Sequence, residues 1–297
     1  MHTSTSPTVS VLLAQADLAE RRLQAPSRAA NSARNARAEI GRRQRWRPAR
    51  DALWRFLDPH LGDGASVAIL GAGNGDDLPL DRIAERGSAV TLLDLDPQAA
   101  RGARRRQSRA ARRKISVLAH DVTAGVADAI VLAALRGEVP ERTGLPEGPL
   151  PGSPYDFVIG DLFYSQLLYP AMADLGVAEP RQQAFLARYG PALTRSVVAR
   201  LHASAPLGRV AHIHDPIAWW PGHSQPVSIE DILASADSGD PEGALAIVAR
   251  GLGPAESDPR AAVRSLGMAV LETRLWRWPF APGVEYLACA TLAGDPR

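Results

Sequence analysis

Short apolar runs recur through the middle of the chain, with helical patterns between them. The runs at 67–70, 90–93, 115–118, 157–159 and 210–213 are each bounded by Gly, Asp or Pro, as strands buried on both faces are. Helical spacing marks 78–86, 98–113, 126–135 and 181–205 between them. Strand and helix in alternation predict an α/β fold, a doubly wound, mostly parallel sheet with right-handed crossovers. The stretch EVPERTGLPEGPLPGSP is too rich in Pro and Gly for either element and reads as a surface loop.

The two ends read differently. From about residue 9 to 61 the pattern is helical, punctuated by Pro26 and Pro48, so residues 1–62 form an N-terminal helical segment or lid ahead of a domain at 63–297. Beyond Asp215 the alternation stops. A loop and short helices follow, with Ser228 placed to cap IEDIL, so residues 216–268 read as a helical insertion or lid. The end, LETRLWRWPFAPGVEYLACATLAG, reads as two strands joined by Ala281-Pro282-Gly283, an antiparallel hairpin that brings the sheet to seven strands.

Composition narrows the class. At 297 residues and 45% hydrophobic, the chain can bury a large core. No apolar run approaches the roughly 18 residues of a membrane span, and the first residues lack the basic start and apolar stretch of a secretion signal, so a soluble, cytoplasmic protein without a membrane partner is expected. The one cysteine, Cys289, excludes a disulfide or a cysteine metal site within one chain. Formal net charge is +2, but RGARRRQSRAARRK holds eight basic residues and no acid. Such a block can track a nucleic-acid backbone. Lys114 is the only lysine, which points to arginine-rich coding, and no aromatic is interleaved to stack on bases; nucleic acid is therefore not favoured.

The turn after the first strand carries the first chemical signal. In a doubly wound sheet the ligand sits beyond the carboxyl ends of the strands, where strand order reverses. Here that turn reads VAILGAGNGDDLPL, with Gly71, Gly73 and Gly75 at alternate positions. A dinucleotide fingerprint would place its third glycine where this chain has Asp76, and a carboxylate there opposes a pyrophosphate. Nineteen residues after Gly75 the second strand ends in Asp94, placed to accept ribose hydroxyls. The third run ends in Asp121, which can accept from an exocyclic amine. These features describe an adenosine pocket without phosphates.

In that order, VAILGAGNG, LLDLDPQAA, AHDVT and YDFVIGDLFY resemble the successive motifs of class I S-adenosylmethionine-dependent methyltransferases. The resemblance spans roughly Val67 to Asp215. It implies S-adenosylmethionine as cofactor, with the backbone from Gly71 through Ala72, Gly73, Asn74 and Gly75 cradling it. It also implies that Asp94 and Leu95 hold the ribose, Asp121 and Val122 the adenine, and Gly160 and Asp161 the methionine part. The family's acid two residues before the first glycine is replaced by Ile69, and Asp76 or Asp77 is the expected substitute.

Methyl transfer chiefly requires a close, aligned nucleophile, and a base only where the acceptor must lose a proton. Tyr164 follows the fourth strand, His214 ends the fifth and His223 lies in the next loop; these are the candidate catalytic residues. Trp46, Arg47, Tyr164 and Trp219 are candidate acceptor contacts. No metal is assigned, although His214, Asp215 and His223 lie close in sequence. The expected acceptor is a small molecule, methylated on oxygen or nitrogen. The alternatives are an RNA methyltransferase that uses the basic blocks, a non-catalytic cofactor-binding scaffold, and aminopropyl transfer on the same fold.

Overall fold

Alternate residues of β1 (Ser66–Leu70) supply opposite faces of one sheet, and both faces are covered. Val67 and Ile69 join Val90, Leu92, Phe157 and Ile159 in the core on one side. Ala68 and Leu70 join Leu93, Val158 and Val210 on the other. The computed structural model describes residues 23–37, 41–222, 225–252 and 257–294; the opening helical pattern before residue 23 and His223 lie outside these.

The remaining strands are β2 (Ala89–Asp94), β3 (Ile115–Ala119), β4 (Phe157–Asp161), β5 (Arg209–Trp219), β6 (Ala269–Ala281) and β7 (Val284–Gly294). The helices are α1 (Pro26–Ala36), α2 (Arg42–Arg45), α3 (Arg47–Leu57), α4 (Leu80–Arg86), α5 (Pro97–Arg105), α6 (Arg109–Lys114), α7 (Val126–Arg136), α8 (Tyr169–Asp174), α9 (Glu179–Ser204), α10 (Ile229–Asp237), α11 (Pro241–Leu252) and α12 (Pro259–Ser265). Leu53, Phe56 and Leu57 of α3 and Ile83 of α4 seal the first core, while Val197, Val198 and Leu201 of α9 seal the second. Among the described residues, no helix is long and apolar enough to cross a membrane.

The strand order is β3-β2-β1-β4-β5-β7-β6, with β7 antiparallel to both neighbours and the other pairs parallel. Order reverses between β1 and β4, so the glycine turn after β1 opens at the switch point. Ser228 caps α10 through Asp231 N at 3.1 Å, and the hairpin turns where Ala281 pairs Val284, both as the sequence indicates.

Two elements differ from expectation. The helix expected at 98–113 is two helices, because the Ser108 hydroxyl accepts from Ala111 N at 3.1 Å and starts a new one. The fifth strand does not stop at Asp215 but runs to Trp219. Its ladder to β7 shifts between His214↔Cys289 and Ile217↔Leu287, so Asp215 and Pro216 together oppose Ala288. That is a bulge, and it lets a strand carry a proline.

Phe157 is fully buried in the central strand. Phe157→Ala is expected to lower the urea unfolding free energy by about 3–5 kcal/mol, whereas Leu207→Ala, at 86% exposure, is expected to change it by less than about 0.5 kcal/mol.

Candidate functional site

The glycine turn requires its glycines. Gly71, Gly73 and Gly75 have φ of +83°, +46° and +58°, in the left-handed region that side chains resist. A Cβ on Gly71 would stand 2.7 Å from the Asp161 carbonyl oxygen. The turn thus lies flat against the end of β4, its backbone open to a ligand.

One hydrogen bond fastens this turn to β2. Gly73 N donates to Asp94 Oδ2 at 2.7 Å. The other oxygen, Oδ1, accepts from Asp96 N at 2.7 Å and from the Asn31 amide at 3.0 Å. Asp96 caps α5 through Gln98 N and Ala99 N and takes the Asn35 amide at 3.1 Å. Asn31 and Asn35, one turn apart on α1, therefore fasten that helix across the pocket, and Asn74 donates back to Asn35 O at 2.9 Å.

A cavity of about 950 Å³ opens above this frame, reaching from Asp94 and Val122 to Asp215 and Tyr286. Its acids fall into two groups. Asp76 is neutralised, since its Oδ2 accepts from Arg42 Nε at 2.9 Å and its Oδ1 lies 3.2 Å from Arg106. Arg50 also donates to its backbone carbonyl at 2.6 Å. Asp161 is 2% exposed and its Oδ1 has no partner. Burial, with Asp77 and Asp94 nearby, pushes the Asp161 carboxyl well above its ordinary range. Burial likewise raises Asp77 to about 6, helped by the adjacent Asp76, and raises Asp94. Asp215 is also raised to about 6 by burial, and its Oδ1 is sealed and unpartnered.

These placements sort the sequence candidates. Gly71, Ala72, Gly73, Asn74, Gly75, Asp76, Asp94, Leu95, Asp121, Val122, Asp161 and Trp46 all line the cavity. Asp121 has a structural task as well, for it accepts from Thr123 N, the Thr123 hydroxyl and Gly125 N and so shapes the turn into α7. Asp76, bound to two arginines, is not a replacement for the acid missing at Ile69; Asp77 and Asp161 carry the open carboxylates.

Five candidates are not brought to the cavity. Tyr164 is 2% exposed and turned into the core, hydrogen-bonded to His212 Nδ1 at 2.6 Å. Burial raises its hydroxyl well above the usual range, so it is a packing residue. Gly160 lies behind the wall, where a Cβ would strike the Tyr164 hydroxyl. His214 points to the other face of the sheet, 3.6 Å from Asp258, and burial holds it down to about 4, because strand alternation turns it away from its neighbour Asp215. Arg47 is exposed beside Asp51 at 3.7 Å. Trp219 donates to Val227 O at 3.0 Å in a separate cluster under α10 and α11, and Trp220 takes its place at the cavity.

Sequence reasoning passed over Asn31, Asn35 and the aromatic wall of Trp278, Phe280 and Tyr286, and it weighed Asp215 only beside His214 and His223 for a metal. The asparagines had a signal in their one-turn spacing. The direction of Asp215 into the cavity had none until the bulge was seen. The basic block is partly structural: Arg104 Nε donates to Ile115 O at 2.7 Å, Lys114 Nζ to Gly87 O at 2.8 Å, and Arg106 binds Asn74 O and Asp76.

The sheet order, the glycine turn at the switch point and the antiparallel last strand settle the architecture. The fold is the doubly wound, mostly parallel seven-stranded sheet with an antiparallel C-terminal hairpin that the sequence predicts. No family model and no curated protein matches the chain. Among solved structures it is similar to a SAM dependent methyltransferase from Aquifex aeolicus, at 15% identity and TM-score 0.37 over 82% of this chain and 88% of that one. It is also similar to magnesium protoporphyrin IX methyltransferase from Synechocystis PCC 6803 with bound SAH, at 13%, 0.39, 86% and 84%. A third is a SAM-dependent methyltransferase from Methanosarcina mazei, at 11%, 0.40, 81% and 96%. Function is read from the site.

The raised carboxyls carry a pH signature. Because Asp77 and Asp215 titrate near 6 in the native chain and near 3.8 unfolded, the native state binds more protons between those values. Stability therefore falls as pH rises from about 4 to about 6. In urea titrations, Asp77→Asn and Asp215→Asn are each expected to flatten that fall, with the variants gaining on the parent as pH increases.

Proposed function

We propose that this protein transfers a methyl group from S-adenosylmethionine to oxygen or nitrogen of a small molecule. One observation carries the reading. At the switch point a side-chain-free turn meets a buried carboxylate, Asp161, whose Oδ1 is unpartnered and which shares the cavity with Asp77 and Asp94. Such a wall favours a ligand that brings positive charge and hydrogen-bond donors. Three of the arginines in this wall are already engaged by the protein's own acceptors. Arg34 is held by Asp174 at 3.1 Å, Arg42 by Asp76, and Arg45 by the Phe280 carbonyl at 3.0 Å.

The residues present suit the cofactor part by part. Asp94 retains a lone pair on Oδ2 for a ribose hydroxyl, Leu95 and Val122 offer apolar surface to the base, and Asp77 with Asp161 would hold the ammonium end. S-adenosylmethionine supplies an electrophilic methyl group on a positively charged sulfur. The chain's own contribution is position: the glycine turn admits close approach, and α1 and α2 line the pocket as a cover that limits water. A small acceptor fits the volume of the cavity. The buried free thiol of Cys289 fits a reducing cytoplasm.

Calorimetry with S-adenosylhomocysteine tests this. The parent chain is expected to bind it, and Asp94→Ala to weaken binding by about ten-fold or more. Unchanged affinity in Asp94→Ala, or binding of NAD+ in its place, would remove the reading. A labelled methyl group from S-adenosylmethionine should then appear on a small product, and salt-insensitive turnover would separate this from an RNA acceptor.

A further inference from the structure

β5 and the β6–β7 hairpin lie across β4 from Asp94, and the cavity wall they build has its own chemistry. Trp46, Trp278, Phe280 and Tyr286 form one continuous ring cluster. Centroids are 4.9 Å apart for Trp46–Trp278, 5.2 Å for Trp278–Phe280 and 4.9 Å for Phe280–Tyr286. Trp278 is 6% exposed, and its Nε1 is an unpartnered buried donor. Asp215 shares this space: Ser165 hydrogen-bonds it, and it acts electrostatically on Tyr286. The bulge at Asp215-Pro216 re-aims that carboxylate into the cavity, as bulges beside active sites do.

A sealed carboxylate oxygen without a partner, set among aromatic faces, is costly unless a cation arrives to use both. We propose that this end of the cavity takes a primary or secondary amine carried on an aromatic body, with Asp215 as its anchor and its base. The assignment rests on the methyl-transfer reading above and deepens it by naming the acceptor class. Asp215 binds the protonated nitrogen as an ion pair and takes its proton, leaving a lone pair on nitrogen. The N–CH3 bond forms as the CH3–S bond breaks, and that electron pair stays on sulfur. The product amine keeps the positive charge, and the proton on Asp215 leaves to solvent. Asp215 is thus a catalytic residue, and the rings of Phe280 and Tyr286 hold the charged nitrogen and its body. Trp278 Nε1 accommodates an oxygen acceptor elsewhere on the molecule.

Three probes of one shape and different charge decide this: phenethylamine, 2-phenylethanol and phenylacetate, titrated by calorimetry with and without S-adenosylhomocysteine. Phenethylamine is expected to bind about ten-fold or more tighter than the alcohol, with phenylacetate weakest. Asp215→Asn should abolish that preference and leave S-adenosylhomocysteine affinity within about two-fold. Phe280→Ala, at the rim where its backbone contacts survive, should weaken phenethylamine about three-fold. Equal or tighter binding of the alcohol or the acid to the parent chain overturns the proposal, as does an undiminished amine preference in a folded Asp215→Asn. If S-adenosylhomocysteine does not bind, the methyl-transfer reading fails alone, because the amine preference is read in the cofactor-free protein as well.

Discussion

The hydrogen bond from Gly73 N to Asp94 Oδ2, 2.7 Å long, is the joint on which the site depends. It fixes the positive-φ turn after β1 against the end of β2. Through Asp94 Oδ1 it reaches Asp96 N, and through Asp96 the cap of α5. Asn31 and Asn35 add α1 to the same pair of carboxylates. Turn, crossover helix and covering helix thus share two acids, so the cover over the pocket and the floor beneath it are set by one network.

The rest of the site follows from which acids that frame neutralises. Arg42 and Arg106 reach Asp76 from α2 and from the end of α5, tying the lid segment to the turn with a nearly buried ion pair. Asp77, one residue on, stays raised by burial although Arg42 and Arg50 act on it, and it lies within electrostatic reach of Asp161. Two buried carboxylates so placed cannot both ionise cheaply. A cation bound between them would relieve that cost, which is the selection by charge that the proposed function invokes. Asp215 repeats the device at the other end of the cavity, through a bulge and not a glycine turn.

The sheet was legible because buried parallel strands leave continuous apolar runs, as in VAIL and VTLL, and because the turns between them are punctuated by Gly and Asp. Gly71, Gly73, Gly75 and Asp94 were legible for the same reason: the topology assigns strand ends to the site. What the sequence hid depends on tertiary geometry. A bulge leaves no one-dimensional mark, so His214 was preferred to Asp215, although only the latter faces the cavity. Tyr164 sits in a motif position yet turns under Gly160, which no spacing rule reveals. The cover by α1 depends on amides meeting carboxylates more than sixty residues away, and the split at Ser108 on a cap that outweighed an unbroken helical pattern.

In the proposed function the raised carboxyls of Asp77 and Asp161 serve a bound cation. Counting the protons exchanged when S-adenosylmethionine binds tests it most directly, by calorimetry at pH 6 in two buffers of different ionisation enthalpy. Proton release is predicted, reduced in Asp77→Asn and Asp161→Asn, because a bound cation lowers the carboxyl pKa values. Binding with no proton exchange, or with proton uptake, would contradict the account.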